Sequence, residues 1–117
     1  MSEVRAAHLL IKHSGSRNPI SRRTNKETTI SKDEAIASLQ KLRTEIVSSS
    51  DPAKTFQDLA TARSDCSSYK RGGDLGPFGR GQMQRPFEEA TYALKIGEIS
   101  DIVDTDSGVH VILRLPL

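Results

Sequence analysis

The sequence contains little cysteine and no long apolar run, and both shortages narrow the class of protein. Cys66 is the single cysteine among 117 residues, so no internal disulfide can form, which is typical of proteins in a reducing compartment. The apolar run near the N-terminus is only Leu9-Leu10-Ile11, whereas a membrane span needs about 20 residues. We therefore expect an intracellular protein, cytoplasmic or nuclear or both, without a membrane partner.

The sequence also lacks a large excess of either charge sign, although its basic residues are unevenly distributed. The formal net charge is +2, which is too small to predict a nucleic-acid partner. Basic residues nevertheless cluster between Lys12 and Lys32, where Glu27 is the single acidic residue. Such a segment is typical of a solvated loop, and an anion-binding site is the next interpretation.

Length and composition predict one domain over residues 1–117. Domains cluster near about 100–150 residues, so a second domain has no room. With 35% hydrophobic and 27% charged residues, the composition is that of a globular protein rather than a disordered or fibrous one. We find no internal repeat.

Local patterns predict an α+β chain, because strands and helices follow one another without a repeating βαβ unit. Alternating apolar residues indicate strands, and capping residues mark where helices begin. The polar segment 14–29 is long enough to predict a functional loop. The predicted elements are a strand over 4–13, a helix from the capping box Ser31–Glu34 to about 48, a helix from Asp51-Pro52 broken at 64–68, a strand over 75–78 after Gly72-Gly73, a helix from Pro86 to Leu94 terminated by Gly97, and strands over 102–103 and 109–115.

Five blocks of the sequence carry a recognisable pattern: AHLLIKH (7–13), SDCSS (64–68), GDLGPF (73–78), GQMQRPFE (81–88) and TDSGVH (105–110). In their order and at their spacing, these blocks resemble the catalytic domain of the parvulin family. With Cys66 and the basic segment, the chain resembles the phosphorylation-specific Pin type. The N-terminal WW domain that often precedes such domains is not expected, since the first predicted strand begins at about residue 4.

The resemblance implies a fold and an activity. The implied fold is parvulin/FKBP-like, a four-stranded antiparallel sheet surrounded by about four helices. The implied activity is peptidyl-prolyl cis/trans isomerisation by a non-covalent mechanism, directed to proteins with phosphorylated Ser/Thr-Pro motifs. Neither a metal nor a cofactor is implied, and a monomer is expected.

The resemblance also implies a proline pocket. Leu75, Met83 and Phe87 would surround the proline ring, and Gln84 would hydrogen-bond the substrate backbone. Without the resemblance, the three apolar residues would be assigned to the hydrophobic core.

Cys66 and two histidines form the implied catalytic centre. By resemblance, His8 and His110 lie together and hydrogen-bond Thr105 behind Cys66, with Ser107 as a further member of the network. In this role the histidines orient the site and tune the thiol rather than give protons to the substrate. From the sequence alone, each histidine could equally be a buried residue satisfied by a neighbour.

A phosphate site is implied at Lys12, Arg17 and Asn18. Lysine and arginine suit a phosphate because one is a mobile point charge and the other a planar fork of donors. The family commonly has a second arginine where this chain has Asn18, which predicts a weaker site. Arg22 and Arg23 could fold back to compensate, but we expect them to belong to a solvated loop.

Three alternatives remain open at this point. A cysteine with histidines elsewhere in the chain also suits a thiol hydrolase, although no oxyanion hole is evident. The domain could instead be a phosphopeptide-binding module with little turnover. It could also be a generic parvulin without phosphate preference, with basic or nucleic-acid partners at the 12–32 segment.

Overall fold

Three α-helices and one 3-10 helix surround a four-stranded sheet. The computed structural model describes residues 3–117. Its elements are β1 (Val4–Ile11), α1 (Lys32–Val47), α2 (Pro52–Arg63), the 3-10 helix (Ser67–Arg71), β2 (Asp74–Phe78), α3 (Arg85–Ala93), β3 (Val103–Thr105) and β4 (Gly108–Leu115). The strand order is β2-β1-β4-β3, with every pair antiparallel. The predicted α+β fold with a four-stranded antiparallel sheet is therefore confirmed.

Within residues 3–117, we find no helix that is long and apolar enough to cross a membrane.

The first two helices begin where their capping residues predict. The Ser31 hydroxyl accepts from the Glu34 amide at 3.1 Å, and the Glu34 carboxylate accepts from the Ser31 amide at 3.0 Å, which completes the capping box of α1. At the start of α2, the Asp51 carboxylate accepts from the Lys54 amide at 3.3 Å, and Pro52 takes the first helical position.

The core is divided into two layers by the side-chain alternation of β1 and β4. Leu9 and Val111 project to the face that α1 and α2 cover. The opposite face carries a smaller apolar cluster that includes Phe87 of α3. His8 and His110 alternate with Leu9 and Val111 along their strands, so the two histidines project to the same face of the sheet as Phe87. The functional side chains therefore lie in the smaller layer.

Several details differ from the sequence prediction, including β3, which covers Val103–Thr105 rather than 102–103. β1 ends at Ile11 rather than at residue 13. The segment after α2, predicted only as a helix break, forms the 3-10 helix, which ends at Gly72 in the left-handed region with φ 65°. α3 ends at Ala93 because Leu94 is extended, so Gly97 is not its terminator. Its amide instead donates to the Arg114 carbonyl of β4 at 2.8 Å.

Gly73 holds the segment after Cys66 against β1. The His8 amide donates to the Gly73 carbonyl at 2.9 Å. A Cβ at Gly73 would lie 2.3 Å from the His8 carbonyl oxygen, at a φ of +87°. Residues other than glycine are therefore excluded here, because the φ angle is positive and a Cβ atom would clash with the His8 backbone.

Gly73→Ala is expected to destabilise the fold more than Gly81→Ala. Gly81 has the same φ of +87° with no atom within 4 Å of a built Cβ, so its substitution introduces only the left-handed strain of about 1–2 kcal/mol. The clash at Gly73 should add about 1–3 kcal/mol. Urea unfolding of both variants measures the difference, and equal midpoints would show that the backbone yields at Gly73.

Candidate active site

Two histidines from neighbouring central strands form the floor of the site. β1 pairs with β4 so that His8 lies opposite Ile112 and His110 opposite Leu10, which makes the histidines diagonal neighbours on one face. Their rings stack with centroids 5.1 Å apart, and Nδ1 of His8 lies 2.9 Å from Nδ1 of His110. The Phe87 ring packs edge-on against both rings, at 5.4 Å from His8 and 5.2 Å from His110.

The hydrogen bonds continue from the histidines into the β3–β4 turn. Nε2 of His110 lies 2.7 Å from Oγ1 of Thr105, and this oxygen also accepts from the Ser107 amide at 3.2 Å. Both ring nitrogens of His110 are thus engaged within the site. The ring is buried, and burial, followed by repulsion from His8, lowers the pKa of His110 well below its ordinary value. His110 is therefore a neutral imidazole at physiological pH.

Cys66 lies at the start of the 3-10 helix and is half-buried. Burial raises the pKa of its thiol, but the neighbouring His8 and Ser68 outweigh burial and lower the pKa from 9.0 to about 6. The sulfur is consequently mainly a thiolate at neutral pH.

The charge of Cys66 and the tautomers of the two histidines depend on each other. Nδ1 of His8 is engaged with His110, and the buried Nε2 of His8 has no hydrogen-bond partner within residues 3–117. If Nδ1 of His8 accepts from neutral His110, its Nε2 carries a proton and can donate to a thiolate. The threonine hydroxyl then donates to Nε2 of His110. This tautomer, which the network through Thr105 permits, leaves the Nε2 proton of His8 available to a negative group in the site.

An apolar pocket of about 180 Å³ opens above this network. Met83 and Leu75 are partly buried and pack against the cluster that contains Phe87. Phe87 itself is buried, so it belongs both to the core and to the pocket wall. The structure brings together here all of the residues that were predicted for the proline pocket and the catalytic centre. The residues lining the apolar pocket are His8, Cys66, Leu75, Met83, Gln84, Phe87, Thr105, Ser107 and His110.

A basic cavity of about 450 Å³ lies beside the apolar pocket and shares Cys66 and Ser107 with it. The three predicted phosphate-binding residues all line this cavity. Nζ of Lys12 donates to the Ile20 carbonyl at 2.6 Å, and burial, followed by repulsion from Arg22, lowers the pKa of Lys12. The residues lining the basic cavity are Leu10, Lys12, Arg17, Asn18, Arg22, Asp65, Cys66, Ser67 and Ser107.

Gln84 lies directly before α3 and hydrogen-bonds the β3–β4 turn, whose Ser107 lines both cavities. Its Oε1 accepts from the Asp106 amide at 3.1 Å, and its Nε2 donates to Oγ of Ser107 at 2.8 Å. The Arg17 amide donates to the Asp106 carbonyl at 2.7 Å, which attaches the basic segment to the same turn. Both ends of the Gln84 amide are thus used within the protein. A contact between Gln84 and a substrate backbone remains a prediction.

Two charged residues of the basic cavity were not assigned to it from the sequence. Arg22 was expected in a solvated loop; it is exposed and also lines the cavity. Asp65 had no assigned role. The expectation for Arg23 is wrong, because its Nε donates to the Ser64 carbonyl at 3.2 Å. The one available signal for Asp65 was its position directly before Cys66.

A wider cavity of about 750 Å³ adjoins the apolar pocket through Gln84 and Thr105. Lys32 and Asp104 in its wall are paired with each other, and it contains neither Cys66 nor the apolar residues that a proline ring requires. Its chemistry therefore differs from that of the predicted site.

Alkylation of Cys66 is expected to follow the low pKa of its thiol. Only the thiolate attacks an electrophile, so the rate with iodoacetamide should rise through a midpoint near pH 6 and level off by about pH 8, given the pKa of about 6. An ordinary thiol, with a pKa near 9.0, would still gain reactivity above pH 8. His8→Asn should shift the midpoint upward, and an unchanged midpoint in this variant would contradict the role of His8.

Comparison with known proteins agrees with the geometry of the site. Residues 8–115 match the family described as Rotamase, the PPIC-type PPIASE domain. The chain is 64% identical over 115 residues to the peptidyl-prolyl cis-trans isomerase Pin1 of Digitalis lanata, covering 96% of this chain and 95% of that protein. Among solved structures, TbPIN1 superposes with a TM-score of 0.87 at 54% identity, covering 99% of this chain and all of the other. The isomerase ESS1 of Candida albicans superposes with a TM-score of 0.90 at 44% identity, covering 97% of this chain and 63% of that one.

With the family match over residues 8–115 and a curated isomerase that is 64% identical along nearly all of its length, the chain belongs to the parvulin (PPIC-type) family of peptidyl-prolyl cis/trans isomerases.

Proposed function

We propose that this isomerase prefers phosphorylated Ser/Thr-Pro motifs and acts without a covalent intermediate. The observation that carries the proposal is the shared wall of the two cavities. Cys66 and Ser107 line both, and consecutive residues of a peptide lie about 3.8 Å apart at their Cα atoms. A phosphate in the basic cavity and the ring of the following proline in the apolar pocket therefore suit a single dipeptide.

The charge of the basic cavity supports a phosphate as the preferred group. A phosphoserine carries about −1.5 to −2 charges at pH 7. Lys12 and Arg17 reach the same cavity, and the Arg17 guanidinium has no hydrogen bond or ion pair within residues 3–117. A charge-assisted hydrogen bond contributes about 1.5–3 kcal/mol, so two such donors would give a clear preference.

Catalysis in this site requires positioning and electrostatics rather than bond formation. Rotation about a prolyl bond must break amide resonance, with a barrier of about 18–20 kcal/mol. Turnover at roughly 10–1,000 per second requires that about 4–7 kcal/mol of this barrier be removed. The apolar pocket would hold the proline ring while the preceding carbonyl rotates.

The Cys66 thiolate would contribute to that electrostatic effect. In the planar amide the nitrogen lone pair is delocalised onto the carbonyl oxygen, and in the twisted state it returns to nitrogen. A negative group near the oxygen therefore disfavours the planar state more than the twisted one. His8, with its proton on Nε2, would keep that charge on the sulfur.

Cys66→Asp is expected to retain a substantial part of the isomerase activity. A carboxylate supplies negative charge at the same place but cannot act as a thiol nucleophile, which suits a non-covalent mechanism. The measurement is kcat/KM on one phosphorylated Ser-Pro peptide, with Cys66→Ala as the uncharged control. Loss of activity in the Asp variant, together with a covalent adduct trapped during turnover by the parent protein, would support a thiol hydrolase mechanism instead.

Exchange spectroscopy on matched peptides tests the proposed preference. Cis and trans forms of a phospho-Ser-Pro peptide should exchange rapidly with catalytic amounts of protein, and the unphosphorylated peptide should exchange more slowly. The difference should shrink as salt is raised, because ions screen the phosphate contacts. Binding of the phosphopeptide without exchange would indicate a binding module, and equal exchange of both peptides would indicate a parvulin without phosphate preference.

A further inference from the structure

Arg22 is placed on the wall of the basic cavity by an ordered loop, and the inference drawn from it rests on the proposed function. The segment 19–28 folds back on itself through hydrogen bonds from the Ser21 amide to the Lys26 carbonyl at 3.0 Å and from the Thr28 amide to the Pro19 carbonyl at 2.8 Å. An isolated β-bridge joins Ile20 and Glu27. The loop around the exposed Arg22 is therefore ordered by its own hydrogen bonds.

Asp65 attaches this loop to the end of β1. Its carboxylate accepts from the Ser21 hydroxyl at 2.6 Å and from the Lys12 amide at 2.9 Å. Its carbonyl accepts from the Arg22 amide at 2.9 Å, and its own amide donates to the Leu10 carbonyl at 2.8 Å. Arg22 and Lys12 are therefore held at the cavity by the same buried residue.

Lys12 and Arg22 are close enough to repel each other, and the Arg22 guanidinium is available to bind a ligand. After burial, repulsion from Arg22 is the next largest influence lowering the pKa of Lys12. Within residues 3–117, the Arg22 guanidinium makes no hydrogen bond or ion pair, whereas the neighbouring Arg23 bonds the Ser64 carbonyl and lies 3.9 Å from the Asp65 carboxylate. An anion between Lys12 and Arg22 would relieve their repulsion.

Asn18 cannot provide the second arginine of the cavity. Its Oδ1 accepts from the Ile20 amide at 3.3 Å, which leaves only an uncharged amide donor for a ligand. We propose that Arg22 is the third cationic group of the basic cavity and a specificity-determining residue for phosphorylated substrates, supplying from the loop the guanidinium that position 18 lacks.

Arg22→Ala, compared with Lys26→Ala, tests the inference. Lys26 is exposed on the same loop but does not line the cavity, so its substitution removes the same charge without removing a phosphate contact. Arg22→Ala should lower kcat/KM on a phospho-Ser-Pro peptide about tenfold, the effect of losing one charge-assisted hydrogen bond. The unphosphorylated peptide should change less than about twofold in either variant, as should the phosphopeptide with Lys26→Ala.

A second substitution distinguishes the loss of a phosphate-binding guanidinium in Arg22→Ala from general damage to the loop. If Arg22 supplies the guanidinium missing at position 18, Asn18→Arg should restore most of the lost activity in the Arg22→Ala background and raise it less in the parent. Equal loss with Arg22→Ala and Lys26→Ala, or no recovery with Asn18→Arg, would overturn the inference while leaving the proposed function intact. A parent protein with no preference for the phosphopeptide would overturn both.

Discussion

Met83→Ala is expected to lower kcat/KM about tenfold to a hundredfold on phosphorylated and unphosphorylated peptides alike. Met83 lines the apolar pocket and is only partly buried, so its side chain is free to contact a proline ring. Full burial of an apolar side chain is worth about 1.5–3 kcal/mol, which corresponds to that loss of activity. The effect should be independent of phosphorylation, because the phosphate lies in the other cavity.

Leu94→Ala is the matched control for Met83→Ala. Leu94 packs against the same apolar cluster but does not line the pocket, so it should reduce stability without a comparable loss of activity per folded molecule. Phe87→Ala is less decisive, because Phe87 is buried and its truncation should destabilise the fold by about 3–5 kcal/mol. Equal activity losses in the Met83 and Leu94 variants would mean that Met83 acts only through the core.

Arg17→Ala is expected to lower kcat/KM on a phospho-Ser-Pro peptide about tenfold to a hundredfold, the effect of losing one charge-assisted hydrogen bond. The unphosphorylated peptide should change little, because Arg17 lines the basic cavity but not the apolar pocket. Asn18→Arg should have the opposite effect on the same two peptides, since it adds a guanidinium to the cavity wall. If neither substitution changes the ratio between the two peptides, the basic cavity does not bind the phosphate.

Much of the fold could be predicted from the sequence because its signals are local. The capping box at Ser31–Glu34 and the Asp51-Pro52 pair fix helix starts through bonds within a few residues. Strand alternation separates Leu9 from His8 within one short segment. The 3-10 helix at Ser67–Arg71 has no comparable signal, since its short polar segment is held partly by the distant contact between Gly73 and His8.

The site was predicted mainly through the resemblance, because its parts are distant in the chain. His8 and His110 meet only when β1 pairs with β4, a contact that spans 102 positions. No local pattern indicates that pairing. The sequence alone could not distinguish Arg22 from Arg23, because their loop has no apolar periodicity and its direction depends on the Asp65 carboxylate, 44 positions from Ser21.

The most direct test of the account is to measure where a bound phospho-Ser-Pro peptide contacts the parent protein, using intermolecular nuclear Overhauser effects. The account predicts contacts between the proline ring protons and the side chains of Met83 and Phe87. It also predicts that binding perturbs the side-chain resonances of Lys12 and Arg17 only when the peptide is phosphorylated. Proline contacts in the wider cavity of His13 and Arg85, or identical perturbation by both peptides, would contradict the claim that one dipeptide occupies the basic cavity and the apolar pocket together.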